Sequence, residues 1–240
     1  MSDPEFSLSP SLDRQRLADR FAAEGRIHIP EFLDAACADR FLQSLRTRTD
    51  WALIINQDDK NFDLDRDAQA ALSVEQQRAL DDAVYAGARY GFQYRYEAIR
   101  VPDAEAEREE LDDPLARFAS FLSSAPVVDL FRFITGKAGI DFADAQATAY
   151  GPGHFLTAHD DDVAGKQRHA AYVYNLTPAW RADWGGLLLF HGDDGNVTRG
   201  LTPSFNALNI FAVPQPHSVS MVTPFAASRR YSVTGWLRGR

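Results

Sequence analysis

The sequence predicts a mainly β fold with flanking α-helices, in which a barrel or sandwich of short strands carries a helical layer supplied from the N-terminal side. Two observations predict it. After about residue 141, seven or eight short apolar segments follow one another at near-regular spacing, separated by Gly, Pro, Asp and Asn: "DAQATAY", "GHFLTAHD", "HAAYVYNL", "GGLLLFHG", "FNALNIFAV", "HSVSMVTP" and "RRYSVTGWL". Before that point, apolar residues recur at helical spacing in segments that end at glycine or begin after a capping residue.

The elements follow in order. Residues 1–11 read as a mobile lead-in. "LDRQRLADRFAAEG" places Leu17 and Phe21 on one helical face and stops at Gly25. "RIHIPEFL" alternates and meets Pro30, which suits a short strand near an edge. Asp34 caps a helix running to about Leu45, and Cys37 on that helix reads as a small core residue. "WALIINQ" is a strand, and the "DDKNFDLDRD" after it a polar loop. "SVEQQRALDDAVYAGARYG" carries Leu80, Val84 and Ala88 on one helical face and stops at Gly91. "FQYRYEAIRV" alternates like a half-buried strand, "PDAEAEREELDDP" reads as a solvated charge run, and "PLARFASFLSS" and "PVVDLFRFITG" as two short helices.

Bulk properties narrow the function classes. A formal charge of −9 argues against binding a nucleic-acid backbone, which calls for a basic stripe. The single cysteine excludes an internal disulfide and fits a reducing compartment. The N-terminal residues do not read as a signal peptide, and no apolar stretch approaches the roughly 20 residues of a membrane helix. The expectation is a cytoplasmic protein without a membrane or nucleic-acid partner.

The chemistry is concentrated around "LTAHDDDVAG". If the strand runs to the turn, His159 and Asp161 share a face and Asp160 points away. A third ligand must come from elsewhere. His28, His154, His169 and His191 read as surface or hydrogen-bonded core histidines. His217 follows a strand and a double-proline turn, which puts it at a barrel rim. Two histidines and one carboxylate with open positions form the facial triad of non-haem Fe(II) oxygenases. Their common co-substrate, 2-oxoglutarate, needs a cation for its far carboxylate, and arginine's planar fork fits best. Arg230 shares a strand face with Ser232, Thr234 and Trp236, a polar set, whereas Arg229 shares one with Tyr231 and Val233, an apolar packing set. Arg230 is therefore the expected anchor, with Thr234 as a second donor.

Residues from about Ala145 to Leu237 resemble the Fe(II)- and 2-oxoglutarate-dependent dioxygenases of the prolyl-hydroxylase type, most of all the ribosomal-protein prolyl hydroxylases and their bacterial relatives. Tyr150 ahead of "HDD", "LTPAWRADWGG", "PHSVSMV" and "RRYSVTGW" carry the likeness, and "EGRIHIPEFLDAACADRFLQSL" adds to it. The resemblance implies a double-stranded β-helix (jelly-roll) barrel. It divides the chain into a lead-in and helix at 1–25 and a single dioxygenase domain at 26–240, with its core at about 143–238. It implies His159, Asp161 and His217 as iron ligands, Arg230 against the 2-oxoglutarate carboxylate, and Thr234 and Tyr150 as further co-substrate contacts. Arg168 and Trp236 match positions that approach a peptide substrate, while Trp184 reads as packing. Asn175 stands where hypoxia-sensing relatives carry a tyrosine, and the resemblance leaves two readings: its amide contacts the co-substrate, or the role is lost. The twelve residues between His217 and Arg230 make a longer connection than in several relatives. Fe(II), 2-oxoglutarate, O2 and ascorbate as reductant are the implied cofactors. A protein or peptide substrate, among them a ribosomal or translation protein, is the implied partner, hydroxylated on proline with succinate and CO2 as co-products. Alternative readings are a hydroxylase of a free amino acid or other small molecule on the same barrel, and a catalytically inactive interaction module.

Overall fold

The computed structural model describes residues 5–58 and 60–240. Helix α1 (Arg14–Glu24) leads into strand β1 (Arg26–Ile29) and helix α2 (Ala35–Thr47). Strands β2 (Ala52–Gln57) and β3 (Lys60–Leu64) form a hairpin, followed by α3 (Arg66–Ala70), α4 (Val74–Tyr90) and β4 (Tyr94–Arg100). Helices α5 (Glu105–Glu109), α6 (Pro114–Leu122) and α7 (Ala125–Thr135) precede the β-rich remainder. That region comprises β5 (Phe142–Ala143), β6 (Gln146–Tyr150), β7 (Phe155–His159), β8 (Arg168–Asn175), β9 (Leu188–His191), β10 (Val197–Leu201), β11 (Ala207–Ala212), β12 (His217–Val219) and β13 (Arg230–Arg238).

Local chemistry sets the helix ends. Asp13 accepts from Arg16 N at the start of α1, and Gly25 ends that helix in the left-handed region at φ 65°. The Asp34 carboxylate caps α2 through Ala36 N and Cys37 N. Ser73 and Gln76 form a reciprocal capping box on α4, and Asp113 with Pro114 starts α6.

The strands run in the order β1-β11-β8-β13-β6-β4-β7-β12-β9-β10, every pair antiparallel. Strands β11-β8-β13-β6 form one wall and β7-β12-β9-β10 the facing one, so the sheet curls into a double-stranded β-helix, with β1 at one edge as the sequence suggests. Alternation assigns the two faces of the first wall. Tyr172 and Tyr174 of β8, Leu208 and Ile210 of β11, and Val233 and Leu237 of β13 join the main core with Phe41, Phe118 and Phe131 of the helices. Ala171 and Val173 of β8 and Phe211 of β11 turn the other way and pack with Leu188 and Phe190 inside the barrel. The polar residues of β13 share that inner face.

Four sequence expectations are corrected. Of the lead-in, residues 1–4 lie outside the described residues, but Phe6 is buried between Phe41 and Phe118 at 5.2 Å from each ring. Ser9 N and Asp34 N further tie this stretch to the chain around Phe32. The polar "DDKNFDLDRD" is not all loop: β3 pairs with β2 along its length, and α3 follows. Because most of the β3 side chains face solvent, the strand carries no apolar alternation to announce it. The charge run contains α5, whose Arg108 is buried and donates to the carbonyls of Pro102, Asp103 and Ala143 and to Ser123 Oγ. Arg229, expected in packing, forms an ion pair with the buried Glu97.

Candidate active site

Strands β7 and β12 are hydrogen-bonded neighbours whose register places His159 directly opposite His217. Directly opposed residues hold their Cβ atoms ~5 Å apart, so the pairing alone brings the two imidazoles together. Their ring centroids lie 4.2 Å apart. Each Nδ1 faces a backbone carbonyl, Thr157 O at 3.0 Å for His159 and Gln215 O at 2.8 Å for His217. A carbonyl can only accept, so both Nδ1 atoms carry the proton and both Nε2 lone pairs are free for a metal.

Asp161 completes the cluster by a different route from the one expected. Strand β7 ends at His159, and Asp161 sits beyond it at φ 66°, in the left-handed region where Asp and Asn are tolerated. Asp160 caps the turn by accepting from Asp162 N. The Asp161 oxygens stand 3.4 Å from His159 Nε2 and 3.5 Å from His217 Nε2, and the three ligand atoms lie within 4.8 Å of one another. Octahedral bonds of ~2.1 Å put adjacent donors roughly 3 Å apart, so the spacing fits one divalent ion with its remaining positions turned to the cavity. Burial acts to raise the Asp161 carboxyl, but the His159 contact and the charge of His217 hold it below the usual carboxylate range. Burial, then the neighbouring His159, push His217 down to about 4. At neutral pH His217 is thus a neutral imidazole and Asp161 a carboxylate, the protonation states in which each can ligate a metal.

The triad opens into a cavity of about 550 Å³ that also presents Tyr150, Arg168, Arg230, Thr234 and Trp236. Arg230 is only 1% exposed, yet its Nε and Nη1 have no hydrogen-bond partner. Its guanidinium lies 5.1 Å from the Tyr150 ring, which itself stacks on Tyr96. A buried, half-satisfied guanidinium calls for an anion, and a carboxylate matches its fork. Burial raises the Tyr150 phenol, which therefore stays protonated. Arg168 lies flat on the Trp236 ring at 3.5 Å and donates to Asp161 O, so the pair borders the ligand turn.

Asn175 is not brought to the cavity. It is buried opposite Ser232, where its amide makes only long contacts to Val173 O and Ala207 O and its Oδ1 is left without a partner. Trp184 packs edge-on against Trp180, as expected of it. Three of the four histidines set aside are hydrogen-bonded elsewhere: His28 with Asn209, His191 with Ser218, His154 with Gly151 N. Sequence reasoning missed Phe92, whose ring lies 5.2 Å from His159, and Tyr96 beneath Tyr150. The aromatic alternation of "FQYRY" marked a strand, but which face met the site depended on the pairing of β4 with β6 and β7.

The family described as the 2OG-Fe(II) oxygenase superfamily matches residues 145–238, the stretch from β6 to β13 that holds every residue of the triad and its anion site. Over 130 residues, 51% of this chain, the sequence is 32% identical to the prolyl 3-hydroxylase OGFOD1 of Mus musculus, and the match spans 22% of that protein's length. Among solved structures, a Pseudomonas putida prolyl-4-hydroxylase aligns with a TM-score of 0.57 at 18% identity, covering 95% of this chain and 100% of that one. A Trichoplax adhaerens prolyl hydroxylase in complex with a hypoxia inducible factor oxygen degradation domain peptide fragment aligns with a TM-score of 0.60 at 18% identity, covering 94% and 89%. Residues 145–238 thus match the 2OG-Fe(II) oxygenase superfamily, the chain spans about a fifth of the length of the curated relatives it resembles, and its fold is that of the solved prolyl hydroxylases.

Proposed function

We propose that this protein is an Fe(II)- and 2-oxoglutarate-dependent oxygenase that hydroxylates a prolyl residue in a protein or peptide. The observation that carries it is Arg230, a buried cation with unpaired donors in the same cavity as the His159–Asp161–His217 triad. When bound, iron, 2-oxoglutarate and O2 supply the oxidising power to place one oxygen atom in a C–H bond, with succinate and CO2 as co-products. The chain's part is to hold and exclude. His159, Asp161 and His217 would hold the ion beside the cavity. Arg230 takes the far carboxylate of the co-substrate, with Thr234 and the protonated Tyr150 hydroxyl as neutral donors. The aromatic walls, Tyr96, Tyr150 and Phe211, keep the inner end dry, which strengthens the Arg230–carboxylate attraction.

Arg168 and Trp236 border the ligand turn, where a backbone entering the cavity passes over them. A polypeptide substrate, rather than a free amino acid, is favoured by the names of the relatives: a prolyl 3-hydroxylase, and a hydroxylase complexed with a peptide fragment. A ribosomal or translation protein in the cytoplasm is the reading for the partner. The test is direct. Anaerobic addition of Fe(II) and 2-oxoglutarate should produce a visible absorption band. Aerobic incubation with a proteome should then form succinate and add the mass of one oxygen atom to proline in one protein. Amino-acid analysis of that product separates 3- from 4-hydroxyproline. No band and no succinate would sink the oxygenase reading and leave an interaction module.

A further inference from the structure

A second groove, of about 980 Å³, runs between the β2–β3 hairpin and α4. Leu80 and Val84 form part of its apolar lining, Phe62 and Phe92 stand about half exposed along it, and Tyr90 stands almost fully exposed at its edge. Single exposed aromatics are ordinary, but three along one concave surface mark a place where another chain sits. The charged residues lining it, Asp58 and Asp63, are both acidic; Asp63 is already paired with Arg100 at 2.6 Å, so Asp58 is the carboxylate set to meet a basic group.

What occupies the groove follows from where it leads. Asn56, Asp58 and Phe92 line both this groove and the triad cavity, so the two share one wall. Phe92, 49% exposed, places its ring 5.2 Å from that of the metal-ligand candidate His159. The wall is also fixed in place. Asn56 Nδ2 donates to Phe92 O at 3.0 Å, and Gln93 Nε2 donates to Asn56 O at 2.6 Å and Asn56 Oδ1 at 2.9 Å. Gln93 N donates to Thr157 Oγ1, and the Thr157 carbonyl in turn accepts from His159 Nδ1. A chain of hydrogen bonds thus runs from the hairpin to the triad, and a preformed groove loses little free energy on filling.

We propose that this groove is the second half of the polypeptide site. It takes an apolar side chain with a basic neighbour from the segment flanking the target residue, after the chain has crossed the ridge of Asn56, Asp58 and Phe92. The inference rests on the polypeptide-oxygenase reading and specifies what that reading leaves open, the sequence around the target.

The test uses the full chain loaded with Fe(II) and 2-oxoglutarate, and a library of proline-centred peptides with randomised flanks. The wild type should select an apolar residue beside a basic one at a fixed distance on one side of the proline. Ala83 is exposed on α4 and lines the groove, so Ala83→Trp fills it from the helix surface. This variant should lose that selection and show a KM for the best peptide raised about tenfold or more, the equivalent of one buried apolar side chain. Thermal melting and the Fe(II)–2-oxoglutarate absorption band check that the variant is folded and loaded. Asp58→Asn should weaken only the preference for the basic neighbour. Peptide hydroxylation with no flanking preference, or with one that Ala83→Trp leaves in place, would overturn the groove while the oxygenase stands. A band and succinate with a free amino acid but with no peptide would also overturn it, whereas the absence of any band removes the oxygenase reading itself.

Discussion

Replacing Arg230 by methionine should make the protein more stable without its ligands and nearly unable to hold 2-oxoglutarate. Arg230 is 1% exposed with two nitrogens unpaired, and burial lowers its proton affinity. An ion held in a protein interior without compensation costs several kcal/mol, and apolar replacements of buried charges have gained about 1–4 kcal/mol. Against that gain, the Arg230→Met variant would give up the cation–π contact with Tyr150 at 5.1 Å, worth about 1 kcal/mol. The net expectation is a ligand-free protein stabilised by about 2 kcal/mol, or roughly 4–8 °C in melting temperature for a chain of this size. Binding moves the other way. Two charge-assisted hydrogen bonds to a carboxylate are worth ~1.5–3 kcal/mol each, so affinity for 2-oxoglutarate should fall at least about a hundredfold. Melting curves with Mn(II), with and without 2-oxoglutarate, read both effects: the wild type should gain stability from the ligand and the variant should not. A ligand-free Arg230→Met protein that melts below wild type, or one that keeps its 2-oxoglutarate affinity, would refute the reasoning. Arg229→Ala is the contrasting control. It strands the buried Glu97 carboxylate and should destabilise the fold by about 1–3 kcal/mol.

Asp161→Ala removes the charged ligand and should weaken Co(II) binding, followed by its visible spectrum, by at least about a hundredfold; unchanged affinity would place the metal elsewhere. Arg108→Ala deletes a buried guanidinium that satisfies three carbonyls and should cost about 3 kcal/mol, seen as a lower urea midpoint at unchanged slope. His154 is pushed down to about 4, first by burial and then by Arg95, so the unfolded chain takes up this proton near pH 6.5 and the folded one does not. Stability from this residue is therefore full above pH 6.5 and lost as the pH falls toward 4, by at most about 3 kcal/mol. His154→Gln should flatten that part of the pH–stability curve, and an unchanged curve would show that His154 does not carry it.

The barrel was legible because its strands alternate or run apolar between turn residues, and the longer helices because apolar residues recur at helical spacing between signals such as the Asp34 cap and the Gly25 stop. What escaped was structure without an apolar signal: β3, whose side chains face mostly outward, and α5, hidden in charge although it buries Arg108. At the site, residue identity outran the reasoning behind it. His159 and Asp161 were paired by strand alternation, but the strand stops at His159 and a left-handed residue does the turning. Composition does not display a backbone angle. Arg230, and not Arg229, faces the cavity because the faces of the continuous strand β13 obey the period of two. Asn175 was named from the resemblance alone, and it lies too deep among Val173, Ala207 and Ser232 to meet the cavity, a placement that only the register reveals.

Strand β13 also acts as a ruler. Arg230, Thr234 and Trp236 hang from one backbone, hydrogen-bonded on both sides by β6 and β8. At ~3.3 Å per residue, inward-facing positions occur only every ~6.6 Å, and sliding the strand by one residue would turn all three outward. The spacing among these three side chains along the cavity therefore changes in whole two-residue steps or not at all. Evolution can rework the mouth of this barrel by loops and hairpins, but the spacing of the groups along its inner wall is quantised by the pleat.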